Sequence, residues 1–404
     1  MRNGELTSFL FFFFNEIVTM HILEIPSFFT PYGGEFCLDQ ASALASLGHE
    51  VRILSNVQLS ITIGPKGYFT LTFRRYVHEM NGITIYQSFQ RGIPKMVRWN
   101  VERWVAIVCD MFDDYVARYG KPDILHAHCA KWAGYAAMQI SQRYHIPFVI
   151  TEHLPLMLLE EEFGKAPSKA WQIPLLKKAY QSANMVLPVS EELVDDISCY
   201  YGKNYNWQYI SNTIDTDFFH YQKRTSHEGR PFRFCCLADY YFRKGYDLLF
   251  DAVRQLQDKG KNMELHIAGL FTDGPECRGA IERSGIKDIK TYGRVDKYGV
   301  RNLLYESDAL VLASRSEVQP LVLLEAMSTG IPIISTECTP KSQRIDGGST
   351  IVPIDDADAL AEAMEKIMDQ DYDGVKLSEQ IMSLASPQIV GKQLEQLFTE
   401  IINS

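Results

Sequence analysis

The chain has 404 residues, 46% hydrophobic and 22% charged, with a net charge of −10. That length suits two ordinary domains whose cores form without disulfides, and the acidic balance excludes a general nucleic-acid binder. The eight cysteines include no C-x-x-C pair and are scattered through apolar segments, so they read as reduced thiols in a cytoplasmic setting, with no zinc site of their own making.

Residues 1–19 begin the chain with an apolar run at 9–14, one preceding arginine, an acidic Glu5 and no small-residue cleavage site. The run is too short to span a membrane and is poor as a signal peptide. Met20 directly precedes a strand-like segment, so translation is expected to start there and 1–19 to be an extension. Strand-like runs follow at 21–25, 50–55, 83–87, 123–128, 147–151 and 185–190, alternating with helical patterns. A polar stretch without periodicity, 213–230, reads as a linker. The scheme then repeats with runs at 232–238, 263–268, 289–292, 309–313, 331–335 and 350–353. Near-continuous apolar strands separated by helices predict an α/β protein with two tandem doubly wound, Rossmann-like domains. The expected boundaries are 20–212 and 231–384. Residues 51–100 carry seven basic side chains against one acid, followed by Trp99 and Trp104. Such a stretch is either a solvated face or a surface for anionic lipid or an anionic acceptor.

Two doubly wound domains bind ligands beyond the carboxyl ends of their strands, which gives a filter for chemistry-bearing residues. Gly33-Gly34 follows the first strand and opens a helix, where bare backbone and a helix amino terminus suit a phosphate. No G-x-G-x-x-G is present, which counts against a nicotinamide-dependent dehydrogenase. His126 and His128 close the strand 123–128 on one side of it, and Thr151-Glu152-His153 repeats that arrangement; either pair is structural or faces a ligand. Arg243-Lys244-Gly245 places two cations between a strand and a helix, as a diphosphate site requires. The longest signal is Ser314-Arg-Ser-Glu317-Val-Gln-Pro-Leu-Val-Leu-Leu-Glu325, with two glutamates eight residues apart. One carboxylate then reaches a donor sugar while the other accepts two hydrogen bonds from a ribose diol.

Together with Asp123-Ile-Leu-His-Ala-His128, Pro188-Val-Ser190, Ser211-Asn212, Asp215, Gly269, Gly293 and Ser307-Asp308, this string resembles the E-x7-E signature of family 4 retaining glycosyltransferases of the GT-B fold. The resemblance runs from Met20 to the carboxyl terminus. It implies an acceptor-binding first domain, a donor-binding second domain and a last helix (385–404) that crosses back to the first. It assigns Glu317 to the donor sugar, Glu325 to the ribose, Lys244 to the diphosphate, His128 to the reacting sugar, and Gly33, Gly34, Arg243, Gly269, Leu321 and Val322 to the remaining donor site. The implied donor is a UDP- or GDP-hexose and the acceptor a glycan or lipid-linked glycan, met at an anionic membrane surface. No cofactor and no metal are implied, and no Asp-x-Asp suited to bridging a metal and a diphosphate is seen. Three departures stand out: Ala238-Asp239 replaces the family's Gly-Arg, Asn212-Thr-Ile-Asp215 its Asn-Gly-Val-Asp, and Pro320 a glycine. A binding or scaffold protein with a degenerate donor site is the alternative that the lost Gly-Arg motivates.

Overall fold

The computed structural model describes residues 19–30, 33–61, 65–70, 74–223 and 229–404. The amino-terminal run at 9–14 and part of the expected linker, 224–228, lie outside the described residues.

Residues 19–212 build a seven-stranded sheet from β1 (His21–Pro26), β2 (Glu50–Leu59), β3 (Tyr76–Met80), β4 (Ile83–Arg91), β5 (Ile124–His128), β6 (Phe148–Glu152) and β7 (Met185–Pro188). Its order is β3-β4-β2-β1-β5-β6-β7, parallel except for β3. The second sheet holds β8 (Phe232–Leu237), β9 (Met263–Ala268), β10 (Ile289–Thr291), β11 (Ala309–Leu312), β12 (Ile333–Thr336) and β13 (Ser349–Val352) in the order β10-β9-β8-β11-β12-β13, parallel throughout. Each sheet reverses its direction of growth once, between β1 and β5 and between β8 and β11. Those switch points open a crevice at the carboxyl ends of the strands. The interiors follow from the sequence: β1, β5, β8 and β11 are almost fully buried and mainly apolar, with Glu24 on β1 and His126 and His128 on β5 as the buried polar exceptions.

β3 is absent from the sequence-based expectation. Its pattern Tyr76-Val-His-Glu-Met80 alternates half-buried with exposed positions, so no apolar run marks it. Asn81-Gly82, both at positive φ, make the tight hairpin that lays it antiparallel on β4.

The stretch expected as a polar linker differs as well. Ile214 and Phe219 are buried in the second domain's core beside Leu237, Leu304 and Leu324, and the Ser328 hydroxyl donates to the Phe219 carbonyl. Two apolar anchors embedded in polar sequence give no periodic signal, yet they fix the crossing. The helix Pro387–Ile402 packs Val390, Leu394, Leu397 and Phe398 into the first domain's core beside Ile22 and Ile53. Gly391 permits its close approach, for a Cβ there would lie 3.2 Å from the Ala43 carbonyl oxygen.

Candidate active site between the domains

The loops at both switch points converge. A cavity of about 520 Å3 is lined by Ser27, Phe28 and Gly33 after β1, by Val57 and Gln58 on β2, and by Asp239, Leu270 and Arg294 after β8, β9 and β10. Arg294, which sequence reasoning passed over, is exposed there. Asp239 accepts a hydrogen bond from the Leu270 amide at 2.8 Å, so the residue standing where the family has arginine ties two strand ends together.

Gly33 and Gly34 both adopt positive φ, and a Cβ on Gly34 would sit 2.4 Å from the Phe28 carbonyl oxygen. The backbone therefore doubles back tightly before the helix Glu35–Ser46, presenting its amides rather than side chains.

In the second domain, a 3-10 turn at Phe242–Lys244 leads into the helix Tyr246–Asp258. Gly245 joins them at φ 66°, and a Cβ there would lie 1.8 Å from the Ala313 carbonyl oxygen. No other residue fits, so the turn lies directly over the end of β11. That contact brings Lys244 Nζ to 2.5 Å from Glu317 Oε1 and Arg243 Nη1 to 3.8 Å from Oε2. Ser314 Oγ donates to the same carboxylate at 2.6 Å. Arg315 locks both loops: its backbone amide donates to the Arg243 carbonyl, and its guanidinium forks onto Asp247 and reaches Asp355. The carboxylate and the two cations are thus preorganised before any ligand arrives.

Pro320 precedes the helix Leu321–Ser328, so Leu321 and Val322 open it with their amides unpaired by the helix itself. Glu325 projects one turn further on. Burial pushes its carboxyl up to about 7, opposed by Lys297 and reinforced by Asp39 of the first domain. Gly269 closes β9 with its amide on the Gly293 carbonyl.

His128 is placed differently from the expectation that it reaches into the cleft. It is fully buried, its Nε2 lies 2.7 Å from Glu24 Oε2, and Phe36 and His153 cover its ring. His126 shares that carboxylate through Nδ1 and reaches Thr151 Oγ1 at 2.6 Å through Nε2. The one-sided arrangement read from the sequence is present, but its target is Glu24. Burial alone would raise the Glu24 carboxyl, yet the two histidines bring it down to about 2; burial lowers His128 to about 4. The missed signal was a carboxylate inside the otherwise apolar strand His21-Ile-Leu-Glu-Ile-Pro26. Glu24, Cys37 and His128 bring metal-capable atoms within 4.8 Å of one another. However, Glu24 and His128 already satisfy each other, and burial raises the Cys37 thiol well above its ordinary range. That donor set reads as a closed hydrogen-bond cluster.

Two α/β domains whose strand ends meet at a shared cavity, with a lysine–glutamate pair beside a second cavity that both domains line, have the plan of a GT-B sugar transferase. Residues 231–370 match the glycosyl transferases group 1 family and residues 33–218 match glycosyltransferase family 4, and the chain belongs to this family of glycosyltransferases. It is 28% identical over 354 residues to a Bacillus subtilis protein named as the teichuronic acid biosynthesis glycosyltransferase TuaC, covering 84% of this chain and 86% of that one. The fold is similar to sucrose-phosphate synthase from Thermosynechococcus elongatus (TM-score 0.76, 17% identity, 95% of this chain and 99% of that one). It is also similar to HepE from Anabaena, solved with UDP and glucose (TM-score 0.69, 16% identity, 94% and 99%).

Proposed function

We propose that the protein moves a hexosyl unit from a nucleoside diphosphate sugar to an acceptor hydroxyl, with retention at the anomeric carbon and without a metal ion. The observation that carries this reading is the Lys244–Glu317–Arg243 cluster, whose Glu317 lines a cavity of about 390 Å3 shared with Leu156, Ser190 and Glu192 of the first domain. A bound diphosphate draws Lys244 away from Glu317 and takes its charge, joined by Arg243 and the amides that open the helix at Leu321. Glu317, freed of its partner, accepts hydrogen bonds from the donor sugar, and Glu325 accepts those of the ribose. As the bond from C1 to the phosphate oxygen breaks, the acceptor oxygen bonds to C1 from the same face and its proton passes to the leaving phosphate. These cations and helix-end dipoles carry the leaving-group charge that a metal would otherwise balance. Solution of HepE with UDP and glucose supports a nucleotide-sugar donor.

The relative named for teichuronic acid biosynthesis supports a role in bacterial surface polysaccharide assembly, with a glycan or lipid-linked glycan as acceptor. The acceptor is met at the inner face of the cytoplasmic membrane. Exposed Phe69, Met96 and Trp99 lie close in sequence to exposed Lys66, Arg74 and Lys95 in the first domain. The basic stretch is less free than its composition implied, because Arg52 pairs with Glu50, Arg75 with Asp110 and Asp114, and Arg98 with Glu102. Among the described residues no helix is long and apolar enough to cross a membrane.

Incubation with UDP- and GDP-hexoses, with and without EDTA, tests the reading, with the released sugar's anomer followed by NMR. The expected result is nucleoside diphosphate release from one donor, unchanged by EDTA, with the donor's configuration kept. Loss of release in EDTA overturns the metal-free chemistry, and an inverted product overturns retention.

A further inference from the structure

A further cavity, of about 290 Å3, lies within the first domain and joins the interdomain cavity of about 520 Å3, since Ser27 and Gln58 line both. Three stretches distant in sequence meet there. The helix Val97–Tyr119 contributes Trp104, the segment after β5 contributes Lys131 and Trp132, and residues 160–172 contribute Glu162 and Gln172. Trp132 is held in place by Trp171, with ring centroids 6.0 Å apart and planes nearly parallel. Lys131 is ion-paired with Glu162.

Gln172 is fully buried. Its amide nitrogen makes one long contact, 3.4 Å to Glu162 Oε1, and its Oε1 has no hydrogen-bond partner. A buried amide oxygen left unpaired is costly, and native folds keep few of them without a use. Here it lines a cavity that adjoins the interdomain cavity of about 520 Å3. The cavity has the mixed chemistry that sugars require: the edges of two nearly buried indoles for the C–H groups of a ring, and a carboxylate, an ammonium and an amide for its hydroxyls. Lys131 and Glu162 cancel in charge, which leaves no surplus for a phosphate or a uronate.

The geometry points to this cavity as the acceptor subsite, holding a single neutral sugar ring. The ring sits against the indole edges of Trp104 and Trp132. Vicinal hydroxyls bridge Glu162 and Lys131, and a further hydroxyl donates to Gln172 Oε1. The shared wall at Ser27 and Gln58 leaves the ring's free hydroxyl turned to the interdomain cavity. This assignment rests on the transferase reading and names the class of acceptor it takes.

The test uses octyl glycosides of neutral hexoses and N-acetylhexosamines as probes, titrated into the full chain and followed by NMR, with nucleoside diphosphate release measured separately. At least one neutral glycoside is expected to bind, and Glu162→Gln and Gln172→Leu each weaken it about tenfold or more. The KM for the donor stays within about twofold because neither residue touches the donor side. Glu162 is part-exposed at the rim, so its variant keeps the test valid if Gln172→Leu fails to fold. Unchanged glycoside affinity in the folded variants overturns the assignment, as does wild-type protein that binds only glycosides carrying a uronate or phosphate, or none. Absence of donor turnover with intact glycoside binding counts against the transferase reading and leaves the subsite standing.

Discussion

Replacing Glu325 by glutamine removes the most displaced carboxyl of the cleft, and the size of the effect follows from its surroundings. The group is held at about 7 against an ordinary 4.5. Between those values the folded protein binds a proton that the unfolded chain has released, so stability falls as pH rises through this window. The shift corresponds to about 3 kcal/mol. His128 acts in the opposite sense: its fall from 6.5 to about 4 leaves it neutral in the fold, so stability rises with pH between these values. The two contributions partly cancel in the wild type, and only a difference curve isolates Glu325. Urea unfolding of wild type and Glu325→Gln at steps from pH 4.5 to pH 8 is expected to show the variant gaining about 3 kcal/mol relative to wild type across the range. A difference that stays constant with pH refutes the reasoning. Ionised Glu325 is also the form that accepts a ribose diol, so UDP binding near pH 6.5 releases a proton from wild type and none from the variant. Calorimetry in buffers of different ionisation enthalpy reads this directly.

Lys244→Ala strands the Glu317 carboxylate, which is only 7% exposed, and costs about 3 kcal/mol of stability. The double variant Lys244→Met/Glu317→Gln recovers most of that loss in urea melts while donor turnover stays down by about a hundredfold or more. Gly245→Ala drives a methyl group into the Ala313 carbonyl at positive φ and costs about 3 kcal/mol or more, seen as a depressed unfolding midpoint. Glu24→Gln abolishes a carboxylate held at about 2. That contribution is present above pH 4.5 and lost as pH falls toward 2, so the variant is less stable at neutral pH by about 3 kcal/mol and converges on wild type in acid-unfolding curves.

The two-sheet plan was legible because parallel strands buried on both faces leave apolar runs that no other element imitates at that length. β3 escaped because an edge strand with one wet face alternates instead, and only Asn81-Gly82 marked it. Phe219 escaped because one aromatic anchor in a polar stretch carries no period. Within the site, Lys244, Glu317 and Glu325 were legible as a motif, whereas Glu24, Asp39 and Gln172 were not. Their roles depend on partners such as His126, Glu325 and Glu162, which the fold brings together from separate segments. The same reason hid the pairing of Arg75, whose acids lie on a helix more than thirty residues downstream. The missing Gly-Arg was visible in the sequence, but that Asp239 spends its carboxylate on the Leu270 amide emerges only from the packed strand ends.

The central claim is that nucleotide-sugar chemistry takes place where Lys244 meets Glu317. Release of nucleoside diphosphate from UDP- and GDP-hexoses tests it most directly, measured side by side for wild type, Lys244→Ala and Glu317→Gln. The account predicts turnover of at least one donor by wild type and its loss in both variants, with both still folded at the assay temperature. Turnover that survives in either folded variant would contradict it.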